Sequence, residues 1–504
     1  MIKRVIGMAK KVRSAATISN LKELFFGERS TVKGKVLKNF AWLLTSNFAS
    51  RFIKAFITIY AARVLGTEGY GVFSYVLGLA GLFTFFKNIG IEGILTREVA
   101  RNPEKQHHYF STAFWMEVVL VIITVLLVVF VAPFFSKIST AVALLPLAAV
   151  VLAFDDLRDF FFGFFRGKEK MELEAIVTII SNVSIALFGF FALYYFKTPL
   201  AFLISYAAAS VLSAIVAAIL LKPLVSGIVR NFERGLVKPI FISAFPIMMS
   251  GLTGMFLFSI DIVMLGWWRT PHEIGLYSAA QRIVGILALF SALIGTATFP
   301  TLSRLIREDI KRARSIFESS VRVIFLTSIP FVVGGIALSR PIMDFLFGSS
   351  YLSAVPVFSV LIVSILGIHP LVAFAQLIFI FDKQAKVVKY VIASSLCNAL
   401  LSFILIPRFG IIGAAISIVI TSFVYIGLLW RLAKTLLDFE ILPKLGKIIA
   451  SSLLMGVVAF VFQIMGLHVL WNVLFSGSLY FFTLYILRED SIEQILSIVR
   501  SRAN

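Results

Sequence analysis

Residues 40–62 read FAWLLTSNFASRFIKAFITIYAA, a run with the length of a membrane span. An apolar helix needs about 20 residues to cross the hydrocarbon core. This run also carries two cations, Arg51 and Lys54, halfway along it. A cation at the centre of a spanning helix costs roughly 2.5 kcal/mol or more. The two residues are three apart and share a helix face, so the sequence predicts a polar, water-accessible interior beside this span.

The rest of the chain has the composition of a protein that crosses a bilayer many times. Of its 504 residues, 59% are hydrophobic and 14% are charged, and the mean hydropathy is +0.97. Soluble domains contain about 25% charged residues. The apolar runs are long and continuous, which favours helices over the alternating segments, about ten residues long, of a membrane barrel. The sequence therefore predicts an all-α polytopic membrane protein.

The length rule predicts about fourteen transmembrane helices. They lie near residues 40–62, 72–95, 111–135, 140–164, 174–196, 199–221, 240–266, 275–299, 317–339, 354–381, 387–406, 410–430, 447–467 and 469–487. Of the 47 Lys and Arg residues, 35 fall in the two terminal segments and the even-numbered loops, with Lys389 and Lys447 at span ends counted with those loops, six in the odd-numbered loops and six inside spans. Because positive loops stay on the cytoplasmic side, both termini are predicted to be cytoplasmic, in a multi-pass protein of the inner or plasma membrane. The same sorting explains the net charge of +21 without a nucleic-acid partner.

The chain also repeats itself at a spacing of roughly 200 residues. The pair Leu65-Gly66 recurs as Leu265-Gly266, and Gly71-Val72-Phe73-Ser74 recurs as Gly275-Leu276-Tyr277-Ser278. Both copies start on the same side, so they predict two pseudo-symmetric six-helix lobes about an axis along the membrane normal. The predicted organisation is a basic segment 1–39, a first lobe 40–221, a loop 222–239, a second lobe 240–430, two extra helices in 431–487 and a tail 488–504.

Fourteen spans grouped as six, six and two, with the segment Ala61-Ala62-Arg63-Val64-Leu65-Gly66-Thr67-Glu68-Gly69-Tyr70-Gly71-Val72-Phe73 after the first span, resemble the polysaccharide-biosynthesis flippases. These include O-antigen flippases and belong to the multidrug/oligosaccharidyl-lipid/polysaccharide exporter superfamily. The resemblance implies that a lipid-pyrophosphate-linked oligosaccharide crosses from the inner to the outer leaflet by alternating access. It also implies cationic residues in a central cavity, and Arg51 and Arg282 match that pattern.

Six cations fall inside predicted spans: Arg51, Lys54, Lys87, Arg158, Arg282 and Arg322. We predict that Arg51, Lys54 and Arg282 bind the phosphates of an anionic substrate, because Arg offers a planar fork and Lys a point charge. The alternatives are ion pairs within one lobe and, for Arg282, snorkelling of the side chain to the membrane surface.

A second charged group lies in the fourth span, where Asp155, Arg158 and Asp159 stand within one helical turn. These residues are predicted to take part in gating or in binding a coupling proton or sodium ion; the alternative is a solvated helix end. For His369, which precedes Pro370, a packed histidine at a kink is favoured over a proton sensor.

The predicted function is a flippase for a polyprenyl-phosphate-linked glycan, with membrane lipids and glycan-assembly proteins as further partners. No Gly-rich phosphate loop or clustered metal site is present in the sequence, and the single Cys397 excludes an intrachain disulfide, so no cofactor is predicted. Two alternatives remain. One is a multidrug or organic-cation antiporter of the same fold, which Asp155 and Asp159 favour. The other is a membrane glycosyltransferase or polymerase, which the short odd loops disfavour, so the chain is predicted not to be an enzyme.

Overall fold

The computed structural model describes residues 32–84 and 90–489. Lys87, most of the predicted basic segment 1–39 and most of the predicted tail 488–504 lie outside the described residues. Within the described ranges every regular element is a helix and no strand occurs. The all-α class predicted from the apolar runs is confirmed.

The α-helices follow one another with short connections. In chain order they are α1 Val32–Leu82, α2 Ile91–Arg101, α3 Gln106–Leu126, α4 Ser139–Val142, α5 Leu145–Gly167, α6 Met171–Tyr195, α7 Pro199–Leu220, α8 Lys222–Val225, α9 Arg234–Trp268, α10 Pro271–Leu287, α11 Leu289–Glu308, α12 Ile310–Ala337, α13 Ser339–Phe347, α14 Val355–Leu361, α15 Ile365–Ile380, α16 Gln384–Leu436, α17 Gly446–Ile464 and α18 Val469–Ile486.

Two of these helices, α1 and α16, are each a pair of helices joined at a glycine. Gly66 has φ 66° and ψ −178°, and Gly410 has φ 62° and ψ −139°. Residues with a Cβ rarely adopt a positive φ, whereas glycine does so readily. The glycines therefore allow the chain to reverse with almost no loop, between the predicted first and second spans and between the predicted eleventh and twelfth.

Eight helical segments among the described residues are long and apolar enough to cross a membrane by length and hydropathy. One of them, Gln384–Leu436, contains two predicted spans. The helices that carry the interior cations, α1, α5 and α10, are not among the eight; α10 is too short, with 17 residues, and α5 carries four charged residues within five positions. The fold is that of a multi-pass membrane protein, and the count of fourteen spans stays a prediction.

Contacts between loops sort the bundle into two ends. At the end that we call the odd-loop end, Arg63 Nε donates to Leu346 O at 2.8 Å and Trp267 Nε1 donates to Phe135 O at 2.7 Å. At the opposite end, which we call the basic end, Arg166 pairs with both Glu92 and Glu174. Odd loops meet odd loops and even loops meet even loops, as the predicted alternation requires.

The apolar cores divide differently at these two ends. At the odd-loop end one core combines first-lobe residues such as Ile57 and Phe202 with second-lobe residues such as Ile262 and Phe358. Toward the basic end the buried side chains form two separate clusters, one in each lobe, although the first-lobe cluster also takes in Ile240 and Ala244 from the start of α9. Among the described residues, burial of apolar surface therefore joins the lobes mainly at the odd-loop end, and at the basic end the first-lobe core meets the second lobe through the start of α9.

The last two helices are attached to the second lobe along α12. Tyr480 OH of α18 donates to Leu326 O at 2.8 Å, and Lys444, just before α17, pairs with Glu318. In the last turn of α16, Lys434 Nζ donates to the exposed Asp438 at 2.8 Å and lowers the pKa of that carboxyl. The two extra helices thus extend the second lobe without entering the space between the lobes.

Candidate functional site

The site begins where α1 crosses α10 at two glycines. A methyl group on Gly71 would lie 1.8 Å from Pro271 O, and one on Gly275 would lie 1.9 Å from Thr67 O. The two backbones therefore touch, and each glycine is required by the other helix. Gly71 and Gly275 are equivalent positions of the sequence repeat, so this reciprocal contact is the one that a two-fold axis between the lobes would produce.

A cavity of about 610 Å³ lies on the basic side of this glycine contact, between the lobes. Its wall is mostly apolar, with a few polar and cationic side chains. The lining residues are Arg51, Lys54, Ala55, Phe73, Ser74, Leu77, Gly78, Ile262, Ser278, Gln281, Arg282, Val284, Gly285, Ile286, Ala288, Leu361, Ser364, Ile365, Ile368, His369 and Ile418. Apolar walls with a few convergent polar groups are typical of a ligand site.

The structure brings together the three cations that the sequence singled out for substrate binding. Arg51 and Lys54 reach the cavity from α1 in the first lobe, and Arg282 reaches it from α10 in the second. Arg51 and Lys54 keep exposed surface within the bundle because they face this space. None of the lining residues is acidic, so the cavity has a positive charge that a bound anion would neutralise.

The immediate surroundings of these cations contain aromatic rings and hydroxyl groups. Lys54 Nζ lies 5.7 Å from the centre of the Tyr206 ring, a cation–π distance. Among the described residues no carboxylate lies within 4 Å of Arg51, Lys54 or Arg282. The alternative of an ion pair within one lobe is therefore not what the structure shows, although the binding role itself stays a prediction.

The charged group in α5 is arranged differently, because its members bind one another. Arg158 Nη1 lies 2.7 Å from Asp155 Oδ1, and Arg158 Nη2 lies 2.8 Å from Asp159 Oδ1. The same guanidinium donates to Ser181 Oγ at 3.2 Å and lies over the Phe162 ring. The members of this group are not among the residues that line the cavity, although they lie near enough to Lys54 to interact with its charge. Its role in gating or ion coupling stays a prediction.

His369 of α15 also contributes to the cavity wall, and a serine of α12 fixes its ring. Its Nδ1 lies 2.8 Å from Ser328 Oγ, whose only hydrogen is donated to Ile324 O at 2.7 Å. With the serine hydroxyl donating to Ile324 O, this contact corresponds to the tautomer that carries its proton on Nδ1. The ring is fully buried, which matches the packed histidine at a kink that the sequence favours.

Two other ionisable residues that the sequence places near span ends are buried. Asp261 of α9 is fully buried and accepts a hydrogen bond from Tyr277 OH of α10. Arg322 of α12 lies 3.9 Å from Glu489. Neither residue is part of the cavity wall.

Sequence reasoning assigned no role to four neutral polar residues of the wall, namely Ser74, Ser278, Gln281 and Ser364. The sequence did hold a signal for Ser74 and Ser278, since they occupy equivalent positions in the repeat. Among the described residues no group of three or more His, Cys, Asp or Glu side chains is placed to hold a metal ion.

With this geometry in hand, the chain can be compared with known proteins. The sequence profile of the family described as polysaccharide biosynthesis protein matches residues 36–306, which is more than half of the chain. The chain belongs to this family. A second profile, described as MatE, matches residues 246–408. The polysaccharide biosynthesis match includes all three cavity cations, and it confirms the resemblance drawn from the segment Ala61–Phe73.

Two relatives of the chain align along most of their own length. The probable low-salt glycan biosynthesis flippase Agl15 of Haloferax volcanii is 23% identical over 87% of this chain and 94% of the relative. The putative O-antigen transporter of Shigella flexneri is 23% identical over 76% of this chain and 94% of the relative. Among solved structures, the lipid II flippase MurJ in an inward closed conformation has a TM-score of 0.70 and 18% identity, covering 90% of this chain and 100% of that one. This likeness shows that the fold is shared.

Proposed function

We propose that this protein is a flippase that moves a lipid-linked, phosphate-bearing glycan from the inner to the outer leaflet. The observation that carries the proposal is the cavity between the lobes, where Arg51, Lys54 and Arg282 converge without an acidic residue in the wall. Phosphate groups are the anions that such a mixture of guanidinium and ammonium groups binds well. The relatives named as glycan flippase and O-antigen transporter support this substrate class.

The position of the cations between the lobes supports alternating access as the mechanism. Arg51 and Lys54 belong to one lobe and Arg282 to the other, so a bound phosphate group contacts both bodies that must move. Among the described residues the lobes share a large apolar core at the odd-loop end, whereas toward the basic end most core residues fall into one cluster for each lobe. With the basic end in the cytoplasm, as the loop charges predict, this conformation receives its substrate from the inner leaflet.

The membrane potential favours the proposed direction of transport. The headgroup is anionic, and each charge that moves through the full potential is worth about 2.3 kcal/mol per 100 mV. A membrane potential that is negative on the cytoplasmic side drives an anion outward. A coupling proton or sodium ion and partner proteins of glycan assembly are further expectations of the same proposal, and so is a role that is transport and not catalysis.

The antiporter alternative is less well supported by the charges. A cavity for organic cations needs acidic or aromatic groups in its wall. Here Asp155 and Asp159, the residues that favoured this alternative, are both held by Arg158. The wall itself carries three positive side chains.

The test is translocation of a labelled polyprenyl-pyrophosphate glycan by purified protein in vesicles. We expect Arg51→Ala to reduce the initial rate at least tenfold, since a hydrogen bond between charged groups contributes about 1.5–3 kcal/mol. The matched control is Arg304→Ala, which removes an exposed arginine paired with Glu308 at the basic end and should leave the rate unchanged. Wild-type rates in correctly inserted Arg51→Ala would refute the proposed function.

A further inference from the structure

Two serine hydroxyl groups of the cavity wall have no hydrogen-bond partner within the protein. Ser74 Oγ and Ser278 Oγ are buried and unpaired, and Ser278 is only 6% exposed. One serine belongs to each lobe, and the two occupy equivalent positions of the sequence repeat, three residues after Gly71 and Gly275. Because both hydroxyl groups are unpaired, face one cavity and occupy equivalent positions, we expect them to have the same role.

The serines lie directly below the glycine contact that closes the cavity. Three residues of helix advance about 4.5 Å along the axis, so each serine is one turn below the point where α1 and α10 touch. Arg282 follows Ser278 by four residues and lies on the same face of α10. The hydroxyl groups therefore form the ceiling of the cavity, with a guanidinium one turn beneath.

The described helical serines are of two kinds: some donate to the preceding turn, and others, such as Ser210 and Ser402, have unpaired hydroxyl groups like the ceiling pair but do not line the cavity. Ser364 lines the same cavity, but its hydroxyl donates to Leu361 O at 2.6 Å, and Ser328 donates to Ile324 O. Such bonds to the preceding turn satisfy a buried hydroxyl at little cost. A buried hydroxyl without a partner costs about 1–3 kcal/mol, and a ligand that accepts hydrogen bonds would remove this cost.

We propose that Ser74 and Ser278 donate hydrogen bonds to the phosphate oxygens of the headgroup, one from each lobe, and so complete the anion site. This inference rests on the proposed function and adds to it the part of the site that spans both lobes. The same arrangement favours a pyrophosphate over a single phosphate. A pyrophosphate diester has two phosphates and two charges about an approximate two-fold axis, which matches a site with two equivalent donors.

The location of the serines also gives a mechanism for release. The ceiling is the place where the lobes touch, and opening of the odd-loop end must draw α1 and α10 apart there. Ser74 and Ser278 then separate, because each belongs to a different lobe. The headgroup loses one of its two hydroxyl donors at the moment when the outer side becomes accessible, which lowers its affinity when it has to leave.

The experiment measures binding of a short-chain polyprenyl pyrophosphoryl monosaccharide, a pyrophosphate diester, and of the corresponding polyprenyl phosphoryl monosaccharide to the full-length protein in detergent; they are called the pyrophosphate and the monophosphate below. For the pyrophosphate we expect Ser74→Ala and Ser278→Ala each to raise Kd about tenfold, and the double variant to raise it about a hundredfold, as for hydrogen bonds to a charged acceptor. The monophosphate reaches one donor at a time, so the remaining serine can replace the one that is removed. Each single variant should therefore raise the Kd of the monophosphate less than about threefold.

The matched control is Ser213→Ala, which removes a buried helical hydroxyl that already donates to Ser210 O and does not line the cavity, so both Kd values should stay unchanged. Without ligand, the ceiling variants should melt no lower than the wild type, because they remove unpaired buried groups. A lower melting temperature in both would assign the serines a structural role and overturn the inference.

The remaining outcomes separate this inference from the proposed function. Wild-type binding of the pyrophosphate by both serine variants, together with weakened binding by Arg51→Ala, refutes the ceiling site and leaves the flippase intact. Wild-type binding by Arg51→Ala as well refutes both. If the serine substitutions raise Kd equally for the pyrophosphate and the monophosphate, the contact between hydroxyl and phosphate is supported and the preference for pyrophosphate is refuted.

Discussion

The cations buried in this bundle fall into two groups that differ in their partners. Arg158 is held by Asp155 and Asp159, and its charge is compensated within one helix. Arg51, Lys54 and Arg282 face a shared cavity whose wall has no acidic residue. A compensated charge contributes to the fold, whereas an uncompensated one in a wet cavity is available to a ligand.

The compensated group leads to a prediction about stability. Arg158→Ala leaves two half-buried carboxylates without their cation, and we expect it to lower the free energy of unfolding by about 2 kcal/mol, below the 3–5 kcal/mol of fully buried pairs. The measurement is the melting temperature of purified protein. Adding Asp159→Asn should restore part of the loss, since it removes one of the two orphaned charges. Equal stability of wild type and Arg158→Ala would mean that the pairing contributes nothing to the fold.

At the scale of helices, glycine decides how close two elements can approach. The α1–α10 contact depends on Gly71 and Gly275, where a Cβ would overlap a carbonyl oxygen of the other helix. Backbone atoms cannot move aside as a flexible side chain can. The helices must therefore separate when either glycine is enlarged, and the ceiling of the cavity opens with them.

The consequence is a change in the population of conformations. We expect Gly71→Ala to shift the protein away from the state closed at the odd-loop end, seen as longer distances between spin labels placed on the two lobes at that end. Gly81→Ala is the matched control, because a Cβ at Gly81 of the same helix has nothing within 4 Å. Identical distance distributions in Gly71→Ala and wild type would contradict the role given to this contact.

At the scale of the whole molecule, several hydrogen bonds hold the odd-loop end together. Tyr351 OH donates to Ala62 O at 2.9 Å and to Gly66 O at 3.0 Å, and Thr67 Oγ1 lies 2.7 Å from His272 Nδ1. The apolar core shared by the lobes lies at the same end. Outward opening has to break these contacts. The conformation that is closed at the odd-loop end is therefore the one in which substrate enters from the basic end.

A covalent link across this end should stop transport. Thr67→Cys with His272→Cys places two thiols where two side chains are in contact, and replacement of the single native Cys397 removes the background. We expect oxidation to abolish translocation in vesicles and a reductant to restore it, while binding of the pyrophosphate probe is kept. Continued transport by the fully cross-linked protein would show that the odd-loop end does not need to open.

The sequence by itself determined the class of fold, the two-fold repeat and the set of cations that reach the cavity. Long apolar runs require helices, because a helix satisfies the hydrogen bonds of its own backbone in a bilayer. A charge is costly in hydrocarbon, so Arg51, Lys54 and Arg282 predicted a polar interior space from the sequence alone. Family membership, read from the segment around Gly71, also needed no structure.

Only the tertiary structure decided which charges are compensated, which end of the bundle is closed and which neutral groups complete the site. Asp155 and Asp159 could have faced Lys54 or a coupling ion from their spacing alone, and their capture by Arg158 depends on side-chain packing. Ser74 and Ser278 gained meaning once their hydroxyl groups proved to be unpaired. The physical reason is that periodicity fixes the face on which a residue lies, whereas pairing depends on residues about 200 positions away that the fold brings into contact.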